Sequence, residues 1–158
     1  RVATWRTLIS LLETAMRERF WEYFSLNELT PKEWEALCDG CARCCLQKLE
    51  DEDSGAVYYT SIACHLLNLE QCSCSDYPNR NRNVPNCVHL TLERAAEFDW
   101  LPATCGYRLA YNGEPLPGWH PLISGSRESV HDAGVSIRSF AMLESGEEDL
   151  QDYLLDDL

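Results

Sequence analysis

The hydrophobic pattern of residues 4–24 is that of an amphipathic helix. Apolar side chains recur there at steps of three and four residues, at Trp5, Leu8, Ile9, Leu12, Met16, Phe20 and Phe24. This spacing places them along one helical face. We expect that face to pack into the core, because an apolar stripe of this kind is usually core packing rather than a cofactor slot.

A second helix is predicted to begin after Thr30 and to run to about Leu37. Thr30 suits the N-cap, Pro31 suits the first helical position, and Glu33 completes a capping box. A helix with these bounds delivers Cys38 from its C-terminal end.

Two short strands are predicted after this helix, over residues 46–50 and 56–60. The acidic segment between them ends in Gly55, which favours a β-hairpin with a longer loop. The four consecutive acids of residues 50–53 do not follow the spacing of an EF-hand calcium loop. We therefore interpret this segment as a solvated turn.

The rest of the chain predicts short helices separated by irregular segments. Residues 62–90 contain many Pro and Asn residues, so we expect this segment to owe its shape to the ligand that it wraps. Short helices are predicted from Thr91 onward, over residues 102–110 and over residues 126–131. Residues 113–121 are rich in Gly and Pro and predict a loop.

Together these elements predict an α+β fold that is mainly helical. It has short helices and one small β-hairpin around a cysteine-rich, metal-organised irregular core. A chain of 158 residues fits one domain. We expect a single cysteine-rich metal-binding domain over residues 1–143 and an acidic C-terminal tail over residues 144–158.

The charge narrows the choice of partners. The net charge is −13 at pH 7, and the tail contains no Lys or Arg. We expect no nucleic-acid partner, because phosphate contacts need basic groups. Within the tail, Leu150, Leu154 and Leu158 recur as one helical face requires. The pattern leaves three options open for the tail: docking on this domain, docking on a protein partner, or a solvated terminus.

Nine cysteines carry the chemistry of this chain, and four of them lie in residues 38–45 as Cys38-x2-Cys41-x2-Cys44-Cys45. Disulfides are disfavoured, because the count is odd, two cysteines are adjacent, and no signal-like segment opens the chain. Thiols persist in a reducing compartment, so we predict a cytoplasmic metal-binding protein. No apolar stretch approaches the roughly 20 residues that cross a bilayer, so we expect a soluble protein without a membrane partner.

The C-x2-C-x2-C unit lets three sulfurs converge on one centre, as in the [4Fe–4S] clusters of ferredoxins. The ferredoxin pattern fails after Cys44, where Cys45 follows at once and no Pro is present. A further ligand must come from downstream, and the candidates are Cys64, Cys74 and Cys87. Zinc is the alternative occupant, since four thiolates also form its structural sites. Two histidines are alternative ligands, namely His65 and His89.

Several separated phrases of the chain resemble the CxxCxxCC family of zinc- or iron-chelating proteins, the YkgJ-like domains, and within it the YcgN-like branch. The phrases are Cys38-x2-Cys41-x2-Cys44-Cys45, Cys74-Ser-Asp-Tyr-Pro-Asn-Arg80, Trp100-Leu-Pro-Ala-Thr-Cys-Gly-Tyr-Arg-Leu109 and Trp119-His-Pro-Leu122. The likeness covers roughly residues 20–140, and agreement over several phrases makes chance a poor explanation.

The resemblance implies metal chelation by the cysteines that match the family. These are Cys38, Cys41, Cys44, Cys45, Cys64, Cys74 and Cys87. It favours an iron–sulfur cluster, [4Fe–4S], over Zn²⁺, because a related cysteine motif occurs in flagellin lysine N-methylase. Tyr77 and Arg80 are expected to surround the centre, with Arg80 neutralising its negative charge.

Two other functions stay open from the sequence. One is a redox or group-transfer enzyme, related to methyl transfer, that uses this centre; the other is a metal-stabilised protein-interaction module. No glycine-rich strand-to-helix signature for a nucleotide-like cofactor is present. At least one further cysteine is expected to be dispensable for metal retention, among Cys45, Cys72 and Cys105.

Overall fold

A small sheet forms the centre of the computed structural model, which describes residues 15–156 and residue 158. Strand β1 (Leu46–Glu50) pairs antiparallel with β2 (Val57–Ala63). Gly55 in the connecting turn has a φ of 71°, a left-handed conformation that glycine adopts at little cost. The predicted hairpin is confirmed, and its second strand continues to Ala63.

Three further strands were not predicted from the sequence. Strands β3 (Leu67–Asn68) and β4 (Ser73–Cys74) form a separate antiparallel pair. Strand β5 (Met142–Leu143) pairs parallel with β2, so the main sheet has the order β1-β2-β5. Strands of two residues carry too few side chains for an alternating pattern to be visible in the sequence.

The helices of the described residues are short. The α-helices are α1 (Phe20–Tyr23), α2 (Pro31–Ala36), α3 (Arg80–Asn83), α4 (Gly106–Tyr111), α5 (Pro121–Ser124) and α6 (Ser129–Asp132). The 3-10 helices are Leu26–Glu28, Arg43–Cys45, Tyr77–Asn79, Leu92–Trp100, Ile137–Ser139 and Leu150–Tyr153. The predicted mixture of short helices and small sheets is confirmed. Among these described helices, none has the length and apolar character needed to cross a membrane.

Helix α2 forms as its sequence predicts. The Thr30 hydroxyl accepts a hydrogen bond from the Glu33 N–H, and a Glu33 carboxylate oxygen accepts one from the Thr30 N–H. The helix ends at Ala36, and Leu37 caps it, so Cys38 follows directly. The capping box therefore places the first cysteine of the cluster.

The long helix predicted over residues 4–24 lies mostly outside the described residues. Within residues 15–24 only α1 is helical, so the prediction is wrong for residues 15–19. The backbone N–H and guanidinium of Arg17 donate to the Glu33 carboxylate instead, at 2.7–3.1 Å. This tertiary contact takes the place of helical hydrogen bonds, while Phe20 remains fully buried.

The later helices differ from their predicted bounds. The helix predicted over residues 102–110 begins only at Gly106, because the Cys105 N–H closes a turn onto the Pro102 carbonyl. The segment after Thr91 is a 3-10 helix rather than an α-helix. The last predicted helix begins at Ser129 rather than at residue 126.

Two apolar clusters form the core, one on the sheet and one among the helices. The buried residues of the sheet cluster are Ala42, Leu46, Tyr59, Ala63, Leu67, Cys72 and Ile137. Those of the helical cluster are Phe20, Leu37, Ala95, Phe98, Leu101 and Tyr107. Residues 38–45, which we call the cysteine loop, run from the helical cluster to the sheet, so the cysteines lie where the two clusters meet.

The C-terminal tail contacts the sheet. Leu154 forms an isolated antiparallel bridge with Thr60, and the Leu155 N–H donates to the Tyr59 carbonyl at 2.9 Å. The helical face predicted for Leu150, Leu154 and Leu158 is wrong, because only Leu150–Tyr153 is helical and Leu154 is extended. Pairing with the edge of β2 satisfies backbone groups that a helix would satisfy internally.

We expect the Arg17–Glu33 contact to make stability depend on pH. The hydrogen bonds from Arg17 lower the pKa of Glu33 from its usual 4.5 to about 2. Ionised Glu33 therefore stabilises the fold above pH 4.5, and this contribution is lost as the pH falls toward 2. At pH 7, Glu33→Gln should lower the free energy of unfolding by about 1–3 kcal/mol in urea denaturation.

The matched control for this prediction is Glu97→Gln, which removes one partner of an exposed pair with Arg94. Exposed pairs contribute little, so this variant should differ from the wild type by less than about 1 kcal/mol at any pH. If Glu33→Gln lowered the free energy of unfolding as much at pH 2 as at pH 7, the lowered pKa of Glu33 would be contradicted.

Candidate metal centre

The cysteine loop is built from backbone conformations that turn the chain sharply. Gly40 has a φ of 81° and Ala42 a φ of 58°, both left-handed. For Ala42 this conformation is strained, and such strain concentrates at ligand-binding sites. The loop then enters the 3-10 turn Arg43–Cys45, which leads directly into β1.

A buried carboxylate lies inside this loop. Asp39 is only 5% exposed, and its Oδ1 accepts a hydrogen bond from the Cys41 N–H at 2.9 Å. Its other oxygen, Oδ2, is buried and has no hydrogen-bond partner among the described residues. A buried carboxylate oxygen is costly unless a donor or a cation compensates it. This part of the molecule therefore favours positive charge.

Adjacent thiols of the loop shift each other's pKa in opposite directions. The Cys45 thiol hydrogen-bonds to the Cys44 sulfur, which lowers the pKa of Cys44 to about 7. The same bond raises the pKa of Cys45. Cys44 is thus poised to be a thiolate near neutral pH, and the thiolate is the form that binds metals.

The first two cysteines of the loop have thiols that are removed from water. Cys38 is exposed as a residue, yet burial of its sulfur raises its pKa to about 12. Burial likewise raises the pKa of Cys41 well above its usual value. Such thiols stay protonated on their own, and a bound metal is what would displace their protons.

Lys48 supplies positive charge beside these thiols. Its ammonium donates to the carbonyls of Cys44 and Leu46, each at 2.7 Å, and lies 5.3 Å from the centre of the Tyr59 ring. Burial lowers its pKa, and the Cys44 thiolate opposes that shift. The periodic pattern of β1 does not distinguish this lysine from a solvated one, so sequence reasoning missed it.

Cys105 also reaches this group of thiols, although sequence reasoning left it out of the ligand set. Burial raises the pKa of the Cys105 thiol to about 12, and the Cys44 thiolate contributes to that rise. Both residues pack against the helical cluster. Cys105 lies about 60 residues along the chain from the loop, and no spacing pattern connects the two.

Helix α4 brings Cys105 close through a tight contact at Gly106. A Cβ built on Gly106 would collide with the carbonyl oxygen of Leu37, the residue before Cys38. The buried His120 fixes the same carbonyl, since its Nε2 donates to Leu37 O at 2.9 Å while its Nδ1 accepts from the Leu122 N–H. Burial lowers the pKa of His120, which keeps the ring neutral in this structural role.

The remaining predicted cysteine ligands lie on the sheet side of the loop. The Cys64 N–H donates to the Cys45 carbonyl at 2.9 Å, immediately beyond the last ladder pair of β1 and β2. Cys74 pairs with Leu67 in the β3–β4 ladder. Burial raises the pKa of Cys87, and the thiolates of Cys64 and Cys74 raise it further.

Cys72 lies apart from these thiols. It is buried in the sheet cluster, and its thiol donates to the Leu69 carbonyl at 3.6 Å. Burial raises its pKa, with Ser136 and Arg138 as its polar neighbours. Its surroundings are those of a packed core cysteine.

Tyr77 and Arg80, the residues expected to surround the centre, form a stacked pair. The Arg80 guanidinium lies 3.9 Å from the centre of the Tyr77 ring and donates to the Tyr77 carbonyl at 2.9 Å. The Tyr77 hydroxyl donates to Glu35 at 3.0 Å. Burial raises the pKa of Cys87 and the charge of Arg80 lowers it, so Arg80 acts on that thiol.

One mixed group of ligand atoms lies at the surface. The Cys64 sulfur, a His65 nitrogen and a Glu144 oxygen are all within 4.8 Å of one another. His65 Nδ1 is 2.8 Å from Glu144 Oε1, and Gln47 donates to the other carboxylate oxygen. Since these contacts satisfy both side chains, the His65–Glu144 pair already explains the grouping.

The donor set fits zinc or an iron–sulfur cluster. All nine cysteines are free thiols, and thiolate sulfur is the ligand that both metals take in closed sites. The unpartnered oxygen of Asp39 and the half-buried Lys48 are features of a site that must balance charge. The residues present therefore suit either metal.

The comparisons with known proteins agree with this chemistry. Residues 37–106 match the family model of CxxCxxCC, described as a "Putative zinc- or iron-chelating domain". Over these residues the chain is similar to this class of cysteine-rich domains.

More closely, the chain belongs to the UPF0260 family. It is 60% identical over 119 residues to a UPF0260 protein of Brucella canis, covering 75% of this chain and 78% of that protein. It is 55% identical over 139 residues to one of Pseudomonas entomophila, covering 86% and 93%. No solved structure matches the chain. The family predicted from the cysteine phrases is confirmed.

The contact at Gly106 predicts that Gly106→Ala damages the site. The added methyl group would push the start of α4 away from the Leu37 carbonyl, separating Cys105 from the cysteine loop. Overpacking against backbone costs about 1–3 kcal/mol or more. We expect a lower melting temperature and a lower metal content per chain in the purified protein.

The matched control is Gly118→Ala, because a Cβ at Gly118 would meet nothing within 4 Å and Gly118 has no positive φ. This variant should keep the stability and metal content of the wild type. Equal behaviour of the two variants would refute the role of the Gly106 contact.

Proposed function

We propose that this protein is a cytoplasmic metal-binding protein whose clustered cysteines hold an iron–sulfur centre, with zinc as the alternative occupant. The ligands that we propose are Cys38, Cys41, Cys44, Cys45, Cys64, Cys74 and Cys87. Tyr77 and Arg80 border the centre, and Arg80 offsets part of its negative charge.

One observation carries this proposal: the thiolate of Cys44 acts electrostatically on thiols from distant parts of the chain. The cysteines whose pKa the Cys44 thiolate raises are Cys38, Cys41, Cys45, Cys87 and Cys105. Gathering several thiolates in a buried volume is unfavourable unless a metal compensates their charge, so these thiols stay protonated until a metal displaces their protons.

The spacing of the loop is the reason to favour iron. Three cysteines separated by two residues each are the unit that supplies three corners of a [4Fe–4S] cluster in ferredoxins. Structural zinc sites more often combine two separate C-x2-C pairs, and here the downstream pair, Cys72 and Cys74, has one intervening residue. When bound, an iron–sulfur cluster supplies electron-transfer or Lewis-acid chemistry.

We expect the protein purified without oxygen to be brown and to contain iron and acid-labile sulfide. Cys41→Ala, which removes a buried thiol of the loop, should lower the metal content and the melting temperature together, because metal-binding energy is folding energy in such sites. Cys72→Ala is the matched control, since Cys72 is as little exposed as Cys41, at 7%, and lies outside the cysteine loop.

The measurements are iron, zinc and sulfide per chain, with a visible spectrum. Colourless protein with stoichiometric zinc would overturn the iron proposal and leave the zinc alternative. Protein without any metal, or full occupancy in Cys41→Ala, would overturn metal binding by the cysteine loop.

A further inference from the structure

One group of metal-ligating side chains converges at the end of the main sheet. The Cys64 sulfur, a His65 ring nitrogen and a Glu144 carboxylate oxygen all lie within 4.8 Å of one another. Thiolate, imidazole and carboxylate are the three kinds of donor that Zn²⁺ takes in proteins. In the described part of the chain, no other set of three such side chains is gathered this closely.

The topology of the sheet brings these residues together. Strands β2 and β5 run parallel, and their last residues, Ala63 and Leu143, are paired. Cys64 and His65 follow β2 directly and Glu144 follows β5, so all three leave the sheet at the same end. The Glu144 N–H donates to the Ala63 carbonyl at 2.9 Å, which fixes the separation of the two segments.

Hydrogen bonds hold the Glu144 carboxylate in place. Its Oε2 accepts from the Gln47 amide at 2.7 Å, and its Oε1 accepts from the His65 N–H at 3.1 Å. His65 Nδ1 lies 2.8 Å from the same Oε1. The His65–Glu144 contact therefore forms without a metal. Ligands that are already in place lose little conformational freedom when an ion binds, and this strengthens binding.

Backbone hydrogen bonds fix Cys64, the third residue of the group. Its N–H donates to the Cys45 carbonyl, and its carbonyl accepts from the Leu67 N–H, each at 2.9 Å. The first bond attaches Cys64 to the start of β1, and the second closes the turn that contains His65. The sulfur and the imidazole thus project from a backbone that is held at both ends.

The separation of the three ligand atoms suits a tetrahedral ion. Bonds of about 2.0–2.3 Å from Zn²⁺ to nitrogen, oxygen and sulfur place the ligand atoms about 3.3–3.7 Å apart. The limit of 4.8 Å observed here exceeds this by about 1 Å. The side chain of His65 is 54% exposed, so its ring can make this adjustment without displacing packed neighbours.

The electrostatics at this end of the sheet favour a cation. Glu144 is a carboxylate, and a thiol that binds a metal is ionised as well. Among the ion pairs of the described residues, the partner of Glu144 is His65, and neither Lys nor Arg pairs with it. The net charge of −13 adds a long-range attraction for cations.

We propose that Cys64, His65 and Glu144 form a separate metal site, which binds one Zn²⁺ ion and leaves a fourth coordination position to water. Three protein ligands with an open position are typical of zinc sites that exchange ligands, whereas structural sites are closed by four. The inference goes beyond the proposed function. Cys64 remains a metal ligand but is assigned to this ion, and the six other proposed cysteines remain with the iron–sulfur centre.

The test is a titration of the anaerobically purified full chain with Co²⁺, which substitutes for Zn²⁺ and absorbs light when it is bound to a thiolate. Dialysis against EDTA first removes exchangeable ions, and iron and sulfide are measured before and after this step. We expect the wild type to take up one Co²⁺ per chain, with the absorption of a single cobalt–sulfur bond.

Variants of the two ligands that are not cysteines make the test specific. His65→Ala and Glu144→Gln should each weaken the Kd for Co²⁺ by more than about 100-fold, since each removes one of three ligands. Gln47→Ala removes only the hydrogen bond to the Glu144 carboxylate and should weaken it by about 10–100-fold. Glu147→Gln is the matched control, because it removes an exposed carboxylate of the same tail, and it should bind as the wild type does.

Thermal unfolding gives a second measurement on the same proteins. An ion that binds only the folded chain stabilises it by mass action. Added Zn²⁺ should therefore raise the melting temperature of the wild type and leave that of Glu144→Gln unchanged. An equal rise in both proteins would overturn the role of Glu144 as a ligand.

The outcomes separate this inference from the proposed function. No uptake of Co²⁺ by the wild type after EDTA, or unchanged affinity in both His65→Ala and Glu144→Gln, would overturn the separate site. Loss of iron from His65→Ala would also overturn it, because His65 would then belong to the cysteine centre. A chain purified without iron or zinc, whose Co²⁺ binding still requires His65 and Glu144, would overturn the proposed function and support this site.

Discussion

The structure depends on one constraint, the placement of many thiols and a carboxylate in a volume that water barely reaches. Asp39 is almost fully buried with one oxygen unpartnered, and the sulfurs of Cys38, Cys41 and Cys105 are all desolvated. Negative charge in such a volume is tolerated only with a compensating cation. Lys48 supplies one positive charge, and a bound metal is the chemical means of supplying more.

The surrounding elements hold this volume from two sides. The end of α2 and the start of α4 meet where Gly106 contacts the Leu37 carbonyl. His120 donates a hydrogen bond to the same carbonyl. On the other side, the base of the β-hairpin presents Cys45 and Cys64. The cysteine loop connects the two sides, so packing in either apolar cluster is transmitted to the positions of the sulfurs.

Local patterns predicted the parts that depend on neighbouring residues. The capping box of Thr30 and Glu33 formed because its hydrogen bonds span three residues, and the hairpin formed because a turn with Gly55 joins its strands. Predictions failed where a distant partner competes for the backbone. Arg17 turns toward Glu33 instead of continuing a helix, and Leu154 pairs with Thr60 instead of completing a helical face.

The same division separates what the sequence by itself determined from what only the tertiary structure decided. The spacing of Cys38, Cys41 and Cys44 sufficed to indicate metal chemistry and the family, because ligand type and spacing are local properties of neighbouring residues. The approach of Cys105, the partial burial of Lys48 and the unpartnered oxygen of Asp39 depend on contacts between segments far apart in the chain. Such contacts follow from how the two apolar clusters pack, and packing leaves no periodic signal in one sequence.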